Sequence, residues 1–272
     1  YNLTKEQFRG PQDKQSPAVL VTGASSGIGR ELCKLFAKDG YDIIMVARDE
    51  ARMKKLEVEI QGRWATKIKI MPFDLSDPEC PQKIYDELKA ENIRIDILVN
   101  NAGFGQYGRF HESDSKKLFD MIEVNIAALT KLTRLFLPDM IERGHGRILN
   151  VASSAGYVAG PYSAVYYASK AYVIHFSEAI AEEVDGSGVS VTVLCPGLVK
   201  TEFFKRAAIE DRPLESTFPQ DADKVAEAGY KALMKGKRNI IPSWFYKLLV
   251  FSIRLAPRKI ATKIAKKQLG GE

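Results

Sequence analysis

Residues 18–29 read AVLVTGASSGIG, an apolar run that stops at a cluster of glycines. Ala18 to Thr22 has the continuous apolar character of a buried strand. Gly27 to Lys38 then shows helical periodicity, with Leu32, Leu35 and Phe36 on one side. Gly23, Gly27 and Gly29 thus fall in a strand-to-helix turn. Glycine lets a backbone turn tightly and approach an anion closely. The helix N-terminus, with Ser25, Ser26 and Ile28 beside it, offers N–H groups and a positive dipole end. The spacing is G-x-x-x-G-x-G rather than G-x-G-x-x-G. A plain tight turn is one reading; the strand–turn–helix context favours a pyrophosphate cradle.

The same alternation continues outward. Asp42 to Ala47, Lys67 to Phe73, Ile95 to Asn100, Arg147 to Val151, Val189 to Cys195 and Arg238 to Ile241 read as further strands. Helices are expected over Ala51 to Gln61, Cys80 to Ala90, Ser115 to Glu142 (interrupted near Pro138), Ala164 to Glu183 and Ala222 to Met234. Seven strands alternating with helices predict an α/β fold. It is a Rossmann-type, doubly wound, seven-stranded parallel sheet with helices on both faces. The chain divides into a polar N-terminal extension (1–17), one Rossmann-type domain (18–242) and a basic amphipathic tail (243–272). Leu198 to Gln220 is long and poorly periodic, as a lid or binding loop is.

Composition narrows the class. The 272 residues are 45% hydrophobic and 27% charged, which excludes a disordered chain and allows a large core without staples. Cys33, Cys80 and Cys195 are scattered and odd in number, so a reducing, cytoplasmic location is expected. His111, His145 and His175 are also scattered, which argues against a catalytic metal. His175 reads as a core or interface residue and Cys195 as core. No apolar run is long enough to span a membrane, and Tyr1 to Pro17 lacks the apolar stretch of a signal peptide. The chain opens on Tyr1 rather than Met, so an upstream segment is expected. The net charge of +6 is uneven, with +10 from Lys224 to Glu272 and −4 elsewhere. Basicity thus belongs to the tail, and no nucleic-acid partner is expected.

The end of the second strand bears on the ribose of a dinucleotide. An acid there usually binds the 2′-hydroxyl of NAD. This chain has Ala47 and Arg48 instead. A guanidinium suits a 2′-phosphate, so NADP(H) is preferred over NAD(H). A solvated loop position beside Asp49 and Glu50 is the alternative for Arg48.

With these residues in view, the chain resembles the short-chain dehydrogenase/reductases from about Ala18 to Ile241. The resemblance rests on an ordered set. Its members are TGASSGIG at 22–29, Asp74 and Leu75, NNAG at 100–103, Asn125, Ser153, Tyr166-x-x-x-Lys170, and Pro196, Gly197, Val199 and Thr201. The family implies that Asp74 and Leu75 flank the adenine. It implies that Asn101, Ala102 and Gly103 pack against the cofactor, and that Pro196, Gly197, Val199 and Thr201 hold the nicotinamide carboxamide. A homodimer or homotetramer through the long helices after the fourth and fifth strands is also implied. The tail, with an intact site, is similar to that of bacterial short-chain reductases and of longer-chain 3-oxoacyl and steroid reductases.

Tyr166 and Lys170 stand four apart, which stacks them on one helix face. A free tyrosine has a pKa of ~10, and a nearby ammonium favours the phenolate. Bringing the phenol near 7 needs about 4 kcal/mol at ~1.36 kcal/mol per unit. An exposed ion pair cannot supply this; two positive charges in a closed site are the expected source. In the implied reaction NADPH gives hydride to a carbonyl and Tyr166 acts as general acid/base. Ser153 hydrogen-bonds the same oxygen. Lys170 binds the ribose, and Asn125 holds a water linking Lys170 to solvent. Tyr167, three residues from Lys170, stays open on helix geometry; the family spacing pairs Ser153 with Tyr166.

The expected substrate is an apolar or aromatic carbonyl or alcohol compound, walled by Tyr157, Val158, Tyr162, Phe203 and Phe204. Two other functions compete. A silent NADP-sensing regulator of the same fold usually has a damaged tyrosine–lysine pair, which is intact here. An epimerase or dehydratase normally needs a substrate domain. For the tail, Ser243 to Leu255 is apolar, and Arg258 to Leu269 has an apolar face among lysines. It is expected to cover the pocket, pack on a subunit or make peripheral membrane contact.

Overall fold

The computed structural model describes residues 16–200 and 219–270, so Thr201, Phe203 and Phe204 lie outside the described residues. Strands β1 (Ala18–Thr22), β2 (Asp42–Val46), β3 (Ile68–Met71), β4 (Ile97–Asn100), β5 (Gly146–Val151), β6 (Val189–Leu194) and β7 (Asn239–Ile240) form one sheet. Their order is β3-β2-β1-β4-β5-β6-β7, and every pairing is parallel. The helices are α1 (Gly27–Lys38), α2 (Glu50–Gln61), α3 (Cys80–Ala90), α4 (Ser115–Ile122), α5 (Leu129–Glu142), α6 (Ala164–Glu183), α7 (Ala222–Met234), α8 (Trp244–Leu255) and α9 (Arg258–Gln268).

The sheet is buried on both sides, which explains its apolar strands. Side chains alternate along a strand. In β1, Val19 and Val21 join Leu32 and Phe36 of α1, Met53 and Leu56 of α2, and Val225 and Leu233 of α7. Ala18 and Leu20 join Ile84 and Leu88 of α3 and Leu132 and Phe136 of α5 on the other face. Strand order reverses between β1 and β4, and this opens a crevice at the C-terminal strand ends, where such folds bind ligands.

The long helix breaks elsewhere than expected. Pro138 lies inside α5 without ending it, while Glu123–Ala128 forms a π-helical turn between α4 and α5. The turn holds Asn125, whose side chain bonds backbone groups of Phe104 and the hydroxyl of Ser169. Such bulges cluster where a side chain must be aimed. His175 is exposed on α6 rather than core, because its helix neighbours Val173, Ile174 and Ser177 occupy the buried face.

The tail packs on its own chain. Tyr246 and Val250 of α8 and Ala261 and Ala265 of α9 are buried. The Tyr107 hydroxyl donates to the Leu269 carbonyl at 2.7 Å. Among the described residues, no helix is long and apolar enough to cross a membrane.

Candidate active site

A cavity of roughly 1110 Å³ fills the crevice at the strand ends. Its floor is built by a lashing of β1 to β4. Thr22 Oγ1 donates to Val99 O at 3.2 Å and accepts from the N–H groups of Asn101 and Ala102 at 2.9 and 3.0 Å. Asn101 Nδ2 donates to Thr22 O at 2.9 Å. Gly23 needs a positive φ of 66°, and a Cβ at Gly29 would lie 2.4 Å from the Gly23 carbonyl oxygen. The turn is therefore tight for steric reasons. Ser25, Ser26, Gly27 and Ile28 line the cavity, and Ser26 at the α1 N-cap makes no side-chain cap bond. The first-turn N–H groups of α1 thus have no capping side chain from the residue before them, as an anion cradle requires.

Arg48, Asp74 and Leu75 also line the cavity. The Arg48 guanidinium is 66% exposed and stands 3.7 Å from Asp74 Oδ2. Asp49 lines the cavity as well. It caps α2 by accepting from Arg52 N at 3.0 Å and pairs with the Arg52 guanidinium at 3.1 Å.

Asn101, Ala102, Gly103, Ser153, Tyr166 and Lys170 line the middle of the cavity. Ser153 follows β5, and Tyr166 and Lys170 sit in the first turns of α6. Ser153 favours the Tyr166 phenolate, while its own Oγ accepts from Ala155 N at 3.1 Å and donates to Pro196 O at 3.4 Å. Tyr167 lies against Gly160, where an added Cβ would fall 2.3 Å from its ring. Tyr167 lines the same cavity, so position alone leaves both tyrosines at the site. Asn125 sits behind the cavity wall. Its Oδ1 accepts from Phe104 N at 3.1 Å, and its Nδ2 donates to Phe104 O and Ser169 Oγ at 3.0 Å each.

Electrostatics depart from the expected lowering of the phenol. Burial pushes Tyr166 well above the ordinary tyrosine value, against a smaller downward pull from Ser153. Lys170 Nζ lies 5.9 Å from the Tyr166 ring centre and donates to Val151 O at 2.8 Å. Burial lowers Lys170 from 10.5 to about 8, because a charged ammonium is poorly solvated there. Within the protein alone, desolvation outweighs the pull of Ser153 on the phenol.

Pro196, Gly197 and Val199 complete the lining after β6. Gly197 N donates to Gln220 Oε1, and Leu198 N to the Tyr246 hydroxyl, both at 3.0 Å. Gln220 and Tyr246 escaped the sequence reading, since no local pattern ties them to this loop. Cys195 is core as expected, its thiol raised to about 12 by burial. The aromatic wall differs from expectation. Val158 lines the cavity, but Tyr157 turns away to Asn239 Nδ2 at 2.9 Å and Cys195 Sγ at 3.6 Å. Tyr162 instead packs its ring on Tyr107. Phe245, Tyr246, Leu249 and Ile253 of α8 supply the apolar wall.

Residues 17–212 match the short chain dehydrogenase family model. The chain belongs to the short-chain dehydrogenase/reductase family, a family of oxidoreductases. It is 38% identical over 202 residues to a short chain dehydrogenase of Pseudocercospora fijiensis, covering 74% of this chain and 64% of the relative. It is 34% identical over 235 residues to the probable oxidoreductase EphD of Mycobacterium tuberculosis, covering 80% of this chain and 40% of that one. The chain thus spans less than two thirds of either. A very-long-chain 3-oxoacyl-CoA reductase of Rattus norvegicus is 31% identical over 279 residues, with 96% of this chain and 86% of the relative covered. A solved short-chain dehydrogenase from Sphingobium yanoikuyae in complex with NADPH superposes with a TM-score of 0.79 at 29% identity, over 88% of this chain and 94% of that one.

Proposed function

We propose that this short-chain dehydrogenase/reductase is an NADP(H)-dependent enzyme that interconverts an apolar carbonyl compound and its alcohol. The observation that carries the reading is Ser153, Tyr166 and Lys170 gathered on the wall of the same cavity that the glycine turn before α1 lines. The bound dihydronicotinamide supplies the hydride.

The chain's own residues do the rest. A phenol held up by burial stays protonated at neutral pH, which is the form a proton donor needs. It passes that proton to the substrate oxygen, since an alkoxide is more basic than a phenolate. Ser153 Oγ donates to the same oxygen as negative charge develops there. In oxidation the phenol must first ionise. The Lys170 ammonium, reinforced by the positive charge of an oxidised nicotinamide, then favours the phenolate. Lys170 binds the ribose. Asn125 fixes the Phe104 backbone beside it and is the residue to which we assign the water that connects Lys170 to solvent.

Ser25, Ser26, Gly27 and Ile28 would hold the pyrophosphate, with Gly23 and Gly29 shaping the turn. Asp74 and Leu75 would hold the adenine, and Asn101, Ala102, Gly103, Pro196, Gly197 and Val199 the nicotinamide half, with Thr201 assigned to the carboxamide. An exposed Arg48 at the end of β2, with Asp49 committed to its helix cap, supports NADP(H) over NAD(H). The NADPH complex of the Sphingobium relative supports the same choice. The α8 wall and the rat relative's name support an apolar substrate. Buried free thiols support a cytoplasmic setting. Phe119, Ile122 and Tyr172, exposed on α4 and α6, support a homodimer or homotetramer.

Turnover of a panel of apolar ketones with NADPH and with NADH tests the reading. We expect consumption with NADPH to exceed that with NADH, and Arg48→Ala to narrow the preference about 10- to 100-fold, as loss of a charge-assisted bond does. Cofactor binding with no turnover across the panel would replace the enzyme by a sensor.

A further inference from the structure

Helix α8 has two apolar faces. Phe245, Tyr246, Leu249 and Ile253 wall the cavity. On the other side Trp244, Leu248, Phe251 and Leu255 recur at helical spacing and are 76%, 56%, 60% and 73% exposed. Four large apolar side chains in one exposed stripe are not a chance of composition. Helix α9 adds exposed Ile260 and Ile264, with Lys259, Lys263 and Lys267 in the adjoining column.

Charge says what the stripe faces. Ser243 to Gly270 holds seven Lys and Arg and no Asp or Glu. Lys247, Arg258, Lys259, Lys263 and Lys267 are exposed and make no ion pair among the described residues. A second copy joined isologously through this face would set cation against cation. An anionic bilayer offers both complements, hydrocarbon for the stripe and phosphate for the lysines. Trp244 at the start of the stripe suits the headgroup boundary.

We propose that α8 and α9 dock this enzyme peripherally on an anionic lipid surface, with Trp244, Leu248, Phe251 and Leu255 inserted and the α9 lysines on the headgroups. Docking then sets the outer side of the cavity wall against lipid, the phase that dissolves an apolar carbonyl compound. That consequence rests on the function proposed above; the docking itself does not.

The test is co-sedimentation of the full chain with vesicles of phosphatidylcholine alone and of phosphatidylcholine mixed with phosphatidylglycerol. Binding is expected to the mixed vesicles, with a blue shift of tryptophan emission that Trp244→Phe removes. Leu248→Gln combined with Phe251→Gln should weaken binding about tenfold or more. Lys259→Gln, Lys263→Gln and Lys267→Gln together should weaken it about a hundredfold, near fivefold per lysine. Tyr166→Phe should bind as wild type, which keeps docking separate from turnover. The proposal is overturned if the chain binds neither vesicle or if neither variant set weakens binding. It is also overturned if the chain forms a dimer in solution that Leu248→Gln with Phe251→Gln dissociates, since the stripe then faces a second copy.

Discussion

Lys170 carries a charge that the fold tolerates poorly. Burial holds it at about 8 instead of 10.5. A base with a lowered folded pKa costs stability wherever the folded chain must carry its charge. The cost is complete below the folded value and fades as pH rises toward 10.5, where the unfolded chain also loses the proton. Lys170→Met should therefore stabilise the protein on the order of 2 kcal/mol near neutral pH. The gain should vanish toward the alkaline end of that window, as thermal melts across pH would record. A constant gain at all pH values would show that packing, not charge, is responsible. The same residue was legible in sequence, through its spacing from Tyr166. Its low pKa was not, because the burial that causes it is made by chain brought from far away.

At the scale of elements, the loop after β6 is held by partners remote in sequence. A Cβ at Gly197 would fall 2.1 Å from the Tyr246 ring. Gly197→Ala should cost about 1–3 kcal/mol by overpacking, and it should also weaken NADP(H) binding if, as we propose, the displaced loop holds the nicotinamide half. Calorimetry of the variant checks both. Unchanged melting and affinity would mean that α8 yields freely. The core strands and α1, α3, α6 and α7 were readable from the chain because a doubly covered sheet makes apolar runs and one-sided helices. The π turn at Asn125 was not, since it exists to satisfy Phe104 and Ser169 rather than any local preference. Nor were Gln220 and Tyr246, whose partners Gly197 and Leu198 lie 23 and 48 residues away along the chain.

For the whole molecule, the tail converts an open crevice into a walled cavity. Amphipathic spacing announced that α8 and α9 would cover something, but a helix pattern does not say what. The expected aromatic wall failed at Tyr157 and Tyr162 because each found a partner nearer home, Asn239 for one and Tyr107 for the other. Leu249 and Ile253 took that place. Replacing both by Gln should raise KM for bulky apolar ketones about tenfold or more, at ~1.5 kcal/mol or more per buried aliphatic side chain, with little effect on a small ketone. A uniform loss for every substrate would point to a damaged fold instead.

The central claim is that the Tyr166 hydroxyl, and not its neighbour's, moves the proton. It is tested most directly by NADPH-dependent ketone reduction with Tyr166→Phe and Tyr167→Phe, each shown to bind cofactor. The first should lose about 10²- to 10⁴-fold in kcat, the usual contribution of a general acid, while the second keeps most of its rate. Near-normal turnover by Tyr166→Phe would contradict the account.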